Sequence, residues 1–253
     1  LEIARFLGFA MKIIVVGTHE YFWALRIFTR QFNRYWKFAN VVHYGDVECA
    51  DLPPNFESRR VPCYAEGSWP WDHWYGNGLI SILESIPDRT VALFLPDHWI
   101  NAPVDKLAVR ALDGYMLSHP DVVRGNLTAG TCLAGYGETV ALRDACRIVQ
   151  VHPGDPHCGL YGGTVGSPAL WNRNALLEVL EPHWGLWDAE KVGTEKMARG
   201  WPRWRSVGIE PAPVSRTHGL VHGKPKVASF EGMSREDAEM CAKMLPEGWE
   251  WTA

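Results

Sequence analysis

The sequence has no apolar run near the ~20 residues that a bilayer-spanning helix requires, so no membrane span is expected. It has no GxGxxG after its first strand-like run, which weakens a dinucleotide-binding or Rossmann-type oxidoreductase reading. It also lacks the GxxxxGK pattern followed by Ser or Thr, which argues against a P-loop enzyme. Its six cysteines (Cys49, Cys63, Cys132, Cys146, Cys158 and Cys241) are scattered with no CxxC pair. Reduced thiols in a cytoplasmic setting fit that scatter better than a disulfide framework. Net charge is only −4, so the chain as a whole is not coated for nucleic acid. A zinc site is not expected either. The glycines between His218 and His222 argue against the helix such a pair needs, and His152 and His157-Cys158 lack a complete ligand set.

What is present is an ordinary globular composition with unusual aromatic content. Hydrophobic residues make up 47% and charged residues 21% of 253, enough chain for a sizeable core. Thirteen tryptophans add weight to sugar or base handling, because indole faces stack on both. Charge is uneven along the chain. Between Lys191 and Lys226 the basic residues are opposed only by Glu195 and Glu210, which suits a diphosphate or a polyanionic acceptor unless it is simply a solvated face.

Residues 1–10 are set apart as a remnant or a short extension before Met11. Lys12 to Gly17 reads as a buried strand and residues 20–37 as a helix with an Arg/Lys face. Val41 to Tyr44 is a second strand, which makes a βαβ unit and predicts a parallel sheet. Residues 51–72 read as loop, Gly76 to Ile86 as an amphipathic helix, and Val91 to Leu95 as the third strand. Pro103 opens a helix at its first position, with Val104, Leu107, Leu112 and Met116 on the apolar side. Val122 to Leu127 and Arg147 to Val151 are further strands, with a loop over residues 152–167. Ser167 and Pro168 start a helix through Leu180, Asp188 to Arg199 forms another, and a strand lies near Val207 to Glu210. No linker divides residues 11–253, which read as one domain.

Open parallel sheets bind ligands at the carboxyl ends of their strands. Those ends carry Gly17-Thr18-His19, Tyr44-Gly45-Asp46 and Pro96-Asp97-His98. A carboxylate at Asp97 can hold a hard divalent cation and leave positions for phosphate oxygens, although a turn Asp is common there too.

Three blocks then carry a resemblance. Trp74-Tyr75-Gly76-Asn77-Gly78-Leu79-Ile80 through Ile86, the strand Val91 to Asp97 with His98-Trp99, and Pro103-Val104-Asp105 form the first. Ser167 to Leu177 and Trp187-Asp188-Ala189-Glu190 form the others. In order and spacing they resemble family-2-like bacterial and phage nucleotide-sugar glycosyltransferases over residues 11–225. The resemblance implies an α/β A-type glycosyltransferase fold: a Rossmann-like, mostly parallel sheet flanked by helices. Residues 11–130 would be the nucleotide-sugar half and residues 131–253 a merged acceptor-binding half.

By that resemblance Asp97 is the last acid of a DxD-like motif, with Pro96 where the family has another acid. The implied cofactor is Mn²⁺ or Mg²⁺, with Asp97 and His218 as ligands. Thr18, His19, Asp46, Trp74, Asn77, Gly78 and Lys224 would bind the nucleotide sugar, a UDP-sugar first. Asp188, or else Glu190, would take the acceptor proton in an inverting transfer, though one of them could instead cap the helix that begins there. The acceptor would be a glycan. Two alternatives stay open: a phage-type enzyme acting on a hydroxymethylated DNA base, and a non-catalytic nucleotide- or carbohydrate-binding module.

Overall fold

The computed structural model describes residues 11–37, 39–63, 74–128, 138–143, 146–151, 168–221, 224–225, 230 and 232–247. Its centre is a nine-stranded sheet. The strands are β1 (Lys12–Val16), β2 (Val41–Gly45), β3 (Phe56–Arg60), β4 (Thr90–Phe94), β6 (Val122–Asn126), β7 (Thr139–Arg143), β8 (Cys146–Val151), β9 (Ala169–Asn172) and β10 (Arg205–Glu210). They lie side by side in the order β3-β2-β1-β4-β9-β6-β10-β8-β7. A separate two-stranded ladder joins β5 (His98–Ile100) to β11 (Arg216–His218), and a second joins β12 (Leu220–Val221) to β13 (Lys224–Pro225).

Strands β3, β2, β1 and β4 pair parallel, as do β6 and β10. Strand β9 is antiparallel to both β4 and β6, and β8 is antiparallel to β10 and β7. All strands of the sheet except β9 and β8 therefore point the same way, and the sheet is mostly parallel. It runs through both halves of the chain, because β9 sits between β4 and β6.

Helices cover both faces. The described helices are α1 (Phe22–Tyr35), α2 (Trp74–Ser85), α3 (Lys106–Ser118), α4 (Arg173–Val179), α5 (Leu186–Arg199) and α6 (Arg235–Ala242). Alternation along the central strands divides the core. Ile13, Val15, Ala92 and Phe94 face the cluster formed with α1, α3 and α6. Ile14, Val16, Val91 and Leu93 face the cluster formed with α2, α4 and α5. A strand buried on both faces needs apolar residues at every position, which is why β1 and β4 read as unbroken apolar runs. No helix among the described residues is long and apolar enough to cross a membrane. Cys49, Cys63 and Cys241 are free thiols, while Cys132 and Cys158 lie outside the described residues.

Three expectations are corrected. The stretch expected as loop from residue 51 contains β3, whose Glu57 and Arg59 are not strand formers. Parallel pairing with β2, from Val41↔Phe56 to Gly45↔Arg60, overrides weak local preference at the sheet edge. The helix expected from Ser167 is a strand followed by a shorter helix. Leu170 and Trp171 are buried between β4 and β6, and Asn172 is the true N-cap of α4, accepting from Ala175 N–H at 3.3 Å. Finally, Pro103 does not open α3. Asp105 caps it, accepting from the N–H groups of Leu107 and Ala108 at 3.0 Å each. Leu107 is 69% exposed, so the buried side of α3 is Ala108, Val109, Leu112, Tyr115 and Met116. The expected loop 152–167 lies outside the described residues.

Candidate active site

The carboxyl ends of β1, β2 and β4 lie side by side because those strands pair in parallel. At the end of β1, Gly17 N–H donates to the Tyr44 carbonyl at 3.1 Å, and Thr18 follows at 2% exposure. The Thr18 hydroxyl is buried and has no hydrogen-bond partner among the described residues. A buried donor left this way is costly unless a ligand completes it.

Asp46, at the end of β2, is engaged. One carboxylate oxygen accepts from His19 N–H at 2.8 Å and the other meets His19 Nδ1. Asp46 therefore ties down the one-turn helix His19–Tyr21, and the rest of the His19 ring faces solvent. Below this pair, His43 is fully buried, its Nδ1 3.0 Å from Ser58 Oγ, which also accepts from Cys49 N–H. Burial pushes the His43 ring down to about 4, so it is neutral at physiological pH.

Asp97 occupies the turn between β4 and β5, and two glycines hold that turn. A side chain at Gly17 would meet Pro96 Cγ at 2.3 Å, so the proline ring lies directly over Gly17. On the other side Gly219 N–H donates to the Asp97 carbonyl at 2.9 Å, and a side chain at Gly219 would strike the Trp99 ring. His98 closes the turn: Leu95 N–H donates to its Nδ1 at 3.0 Å. An N–H donor at Nδ1 leaves the proton of a neutral ring on Nε2, which lies 4.0 Å from Asp97 Oδ1. His98 in that tautomer has no lone pair on Nε2 for a metal.

The ladder between β5 and β11 sets the backbone of β11 beside the Asp97 turn. His218 pairs with His98, the residue after Asp97. Arg216 lies two residues earlier on β11. Burial lowers the Arg216 guanidinium, and the Asp97 charge opposes that shift. Tyr21 completes the surroundings, its phenol raised by burial and by the carboxylates of Glu20 and Asp97. Tyr21 was not singled out in the sequence, and Arg216 only as one of the basic residues between Lys191 and Lys226. Their signal was positional: Arg216 needed residues 216–218 to be read as a strand, and Arg-Thr-His gives little sign of one. Among the described residues no three His, Cys, Asp or Glu side chains converge as a metal site. The side chains of Trp74, His218 and Lys224 lie outside the described part.

The second acidic group sits where α2 and α5 begin. Gly76 N–H donates to the Trp184 carbonyl at 2.8 Å, joining the N-terminus of α2 to the entry of α5. Helix α2 follows β3, so this junction lies at the carboxyl-end rim of the sheet. Asp188 is the N3 residue of α5, and its Oδ2 accepts from Gly185 N–H at 3.1 Å. The capping reading thus holds for Asp188, which is nonetheless exposed. Glu190 is buried, and its charge adds to the burial that raises the Tyr75 phenol. On α2, Asn77 is exposed with its carbonyl 3.7 Å from Cys63 Sγ, and Gly78 is buried.

Four of the eight basic residues between Lys191 and Lys226 are paired. Lys196 pairs with Glu181, Arg199 with Glu195, Arg203 with Glu178 and Arg205 with Asp121. Sequence could not show this, because three of those four acids lie outside the stretch.

No protein-family model and no curated protein sequence matches the chain. Among solved structures it is similar to the galactosyltransferase LgtC in complex with donor and acceptor sugar analogs, at TM-score 0.46 and 10% identity over 94% of this chain and 99% of that one. It is also similar to CMP:2-keto-3-deoxy-manno-octonic acid synthetase complexed with CTP, at TM-score 0.44 and 10% identity over 92% and 99%. A third likeness, to apo UDP-glucose pyrophosphorylase, has TM-score 0.44 and 8% identity over 93% and 100%. At these values likeness assigns no activity, and the chemistry rests on the residues above.

Proposed function

We propose that this chain is an A-type glycosyltransferase that moves a sugar from a nucleotide-diphosphate sugar, a UDP-sugar first, to an acceptor hydroxyl. The supporting observation is the Asp97 turn, a carboxylate fixed at the carboxyl end of β4 beside the ends of β1 and β2 and against the strand that carries His218. Open parallel sheets bind nucleotides at such a rim.

The nucleoside lies toward Thr18, His19 and Asp46, with the buried Thr18 hydroxyl as a waiting partner. Trp74, Asn77 and Gly78 flank the donor from α2, and Lys224 supplies a point charge to a phosphate. A carboxylate oxygen suits Mn²⁺ or Mg²⁺ and an imidazole suits Mn²⁺ better than Mg²⁺, and Asp97 with His218 would hold the ion. When bound, such an ion neutralises charge on a diphosphate leaving group. Asp188 accepts the acceptor hydroxyl's proton while that oxygen attacks the anomeric carbon, and the sugar–phosphate bond breaks with inversion. The hydrogen bond to Gly185 fixes Asp188 Oδ2 for this task, and Glu190 is the second choice.

A second reading, a nucleotide-binding module without turnover, draws on Pro96 packed over Gly17 where an acid is expected and on Asp46 engaged by His19. A modified-DNA acceptor loses support from the pairing of the basic stretch. A screen of nucleotide sugars for hydrolysis and transfer tests the proposal: release of nucleotide diphosphate supports it. Nucleotide binding without release across the panel favours the module.

A further inference from the structure

The sheet face that packs against α2, α4 and α5 changes character between β9 and β6. Val91 and Leu93 on β4, and Ala169 and Trp171 on β9, belong to the apolar cluster of that face. Register carries two rows of side chains onward from them, because directly opposed residues of neighbouring strands share a face. In one row Trp171 pairs with Arg124, and Arg124 with Ser206. In the other Ala169 pairs with Asn126, and Asn126 with Gly208. The opposite face of β10 carries Val207 and Ile209, which join the other cluster. A strand covered on both faces ordinarily takes apolar residues throughout. Here Arg124 and Ser206 are fully buried and Asn126 is 7% exposed.

This polar patch is incompletely bonded. Ser206 Oγ, Asn126 Oδ1 and Trp171 Nε1 are buried without a hydrogen-bond partner among the described residues. Groups left so are costly to the fold, and a bound molecule that meets them removes the cost. The Arg124 guanidinium lies over the Trp171 ring, 5.5 Å from its centre. From the neighbouring strands only the methyl of Ala169 and the hydrogen of Gly208 flank Asn126. Three strands wide and two rows long, the patch measures about 10 Å by about 7 Å, the size of a small metabolite. Strand β9 separates it from β4, whose end carries Asp97.

The donor set selects the ligand. A guanidinium fork grips a carboxylate through two N–H groups, and an indole N–H and a serine hydroxyl can donate to the same oxygens. Asn126 Oδ1 only accepts, so it calls for a hydroxyl on the ligand. Arg124 is the one cation in the two rows, and a single positive charge suits a carboxylate better than a phosphate dianion.

We propose that Arg124, Asn126, Trp171 and Ser206 form a site for a hydroxycarboxylate, supplied either as a free hydroxy acid or as the acid of a uronic sugar. The site stands whether or not the chain transfers sugars.

Calorimetric titration compares glycerate and glucuronate with neutral glycerol and glucose, and UDP-glucuronic acid with UDP-glucose, in wild type and Ser206→Ala. Thermal melts of both unliganded proteins accompany it. Ser206→Ala removes a buried hydroxyl that has no partner, so its Tm should equal or exceed that of wild type. In wild type an acid is expected to bind at least about tenfold tighter than its neutral analogue, and Ser206→Ala to weaken the acid about tenfold. Preference within the free pairs identifies a free hydroxy acid; preference within the UDP pair alone identifies a uronic sugar. Sulfate bound as tightly as glycerate overturns the hydroxy-acid assignment. No preference in any pair, or one that Ser206→Ala leaves intact, overturns the site. A lowered Tm in Ser206→Ala with no acid bound assigns the hydroxyl to buried water and overturns it too.

Discussion

Replacing Gly219 by alanine tests how the Asp97 turn is held. The new methyl would lie 2.5 Å from Trp99 Cζ2 and 2.7 Å from Cε2 and Cη2, well inside van der Waals contact. The indole has nowhere to go. It is fully buried, its N–H is shared between the carbonyls of Ala24 at 3.2 Å and Pro96 at 3.0 Å, and Phe230 stacks on it at 5.9 Å. Relief must come from β11, which carries the Gly219 N–H away from the Asp97 carbonyl. Overpacking of this kind costs about 1–3 kcal/mol. For a chain of this size that is a fall in Tm of about 2–12 °C. Gly114 is the control: it is exposed within α3, and a side chain there meets nothing within 4 Å. Gly114→Ala should stabilise by about 0.5–1 kcal/mol through helix propensity alone. Thermal unfolding followed by circular dichroism, with donor titration of the same samples, reads both effects. Gly219→Ala should lose stability and donor affinity together. An unchanged Tm with unchanged donor affinity would refute the packing argument.

Other expectations follow from the same geometry. Asp188→Asn keeps an oxygen for the Gly185 cap, so it should fold and bind donor while transfer falls by about 100-fold or more; full activity would move the base to Glu190. Asp237 is fully buried, accepts from Tyr35 Oη at 2.5 Å and Ser234 Oγ at 2.9 Å, and pairs with Arg34 at 3.0 Å. Asp237→Ala should cost about 3 kcal/mol, the low end for a buried pair because Arg34 is partly exposed, and denaturant melts will show it. His43 is held at about 4 by burial against an ordinary 6.5, so between those values the unfolded chain binds the extra proton. Its contribution is present above pH 6.5 and lost as pH falls toward 4, about 3 kcal/mol in all. His43→Gln should flatten that part of the pH–Tm curve; an unaltered slope contradicts a neutral buried imidazole.

Much of the first half of the fold was legible because its signals are local and doubled. Ile13 to Val16 and Val91 to Phe94 are apolar at successive positions, since both faces of those strands are covered. The ends of these two strands and of Val41–Gly45 therefore placed Thr18, Asp97 and Asp46 on one rim before any geometry was known. What sequence hid depends on partners distant along the chain. Phe56–Arg60 is a strand only because β2 offers it an edge. Ala169–Asn172 is one because β4 and β6 leave a gap that Leu170 and Trp171 fill. The same holds at the site. The neighbours of Asp97, namely Tyr21, Arg216 and Gly219, come from two segments far from it in the chain. The ion pairs of Lys196, Arg203 and Arg205 need Glu181, Glu178 and Asp121, which no local reading joins to the basic stretch.

In the proposed function Asp97 anchors a divalent cation for a nucleotide-sugar donor. Calorimetric titration of UDP-sugars into wild type and Asp97→Asn, each with Mn²⁺ and with chelator, tests it directly. Donor binding that requires Mn²⁺ in the wild type and is lost in Asp97→Asn is the predicted result. Equal donor affinity in chelator, or a variant that binds as wild type does with Mn²⁺, would contradict it.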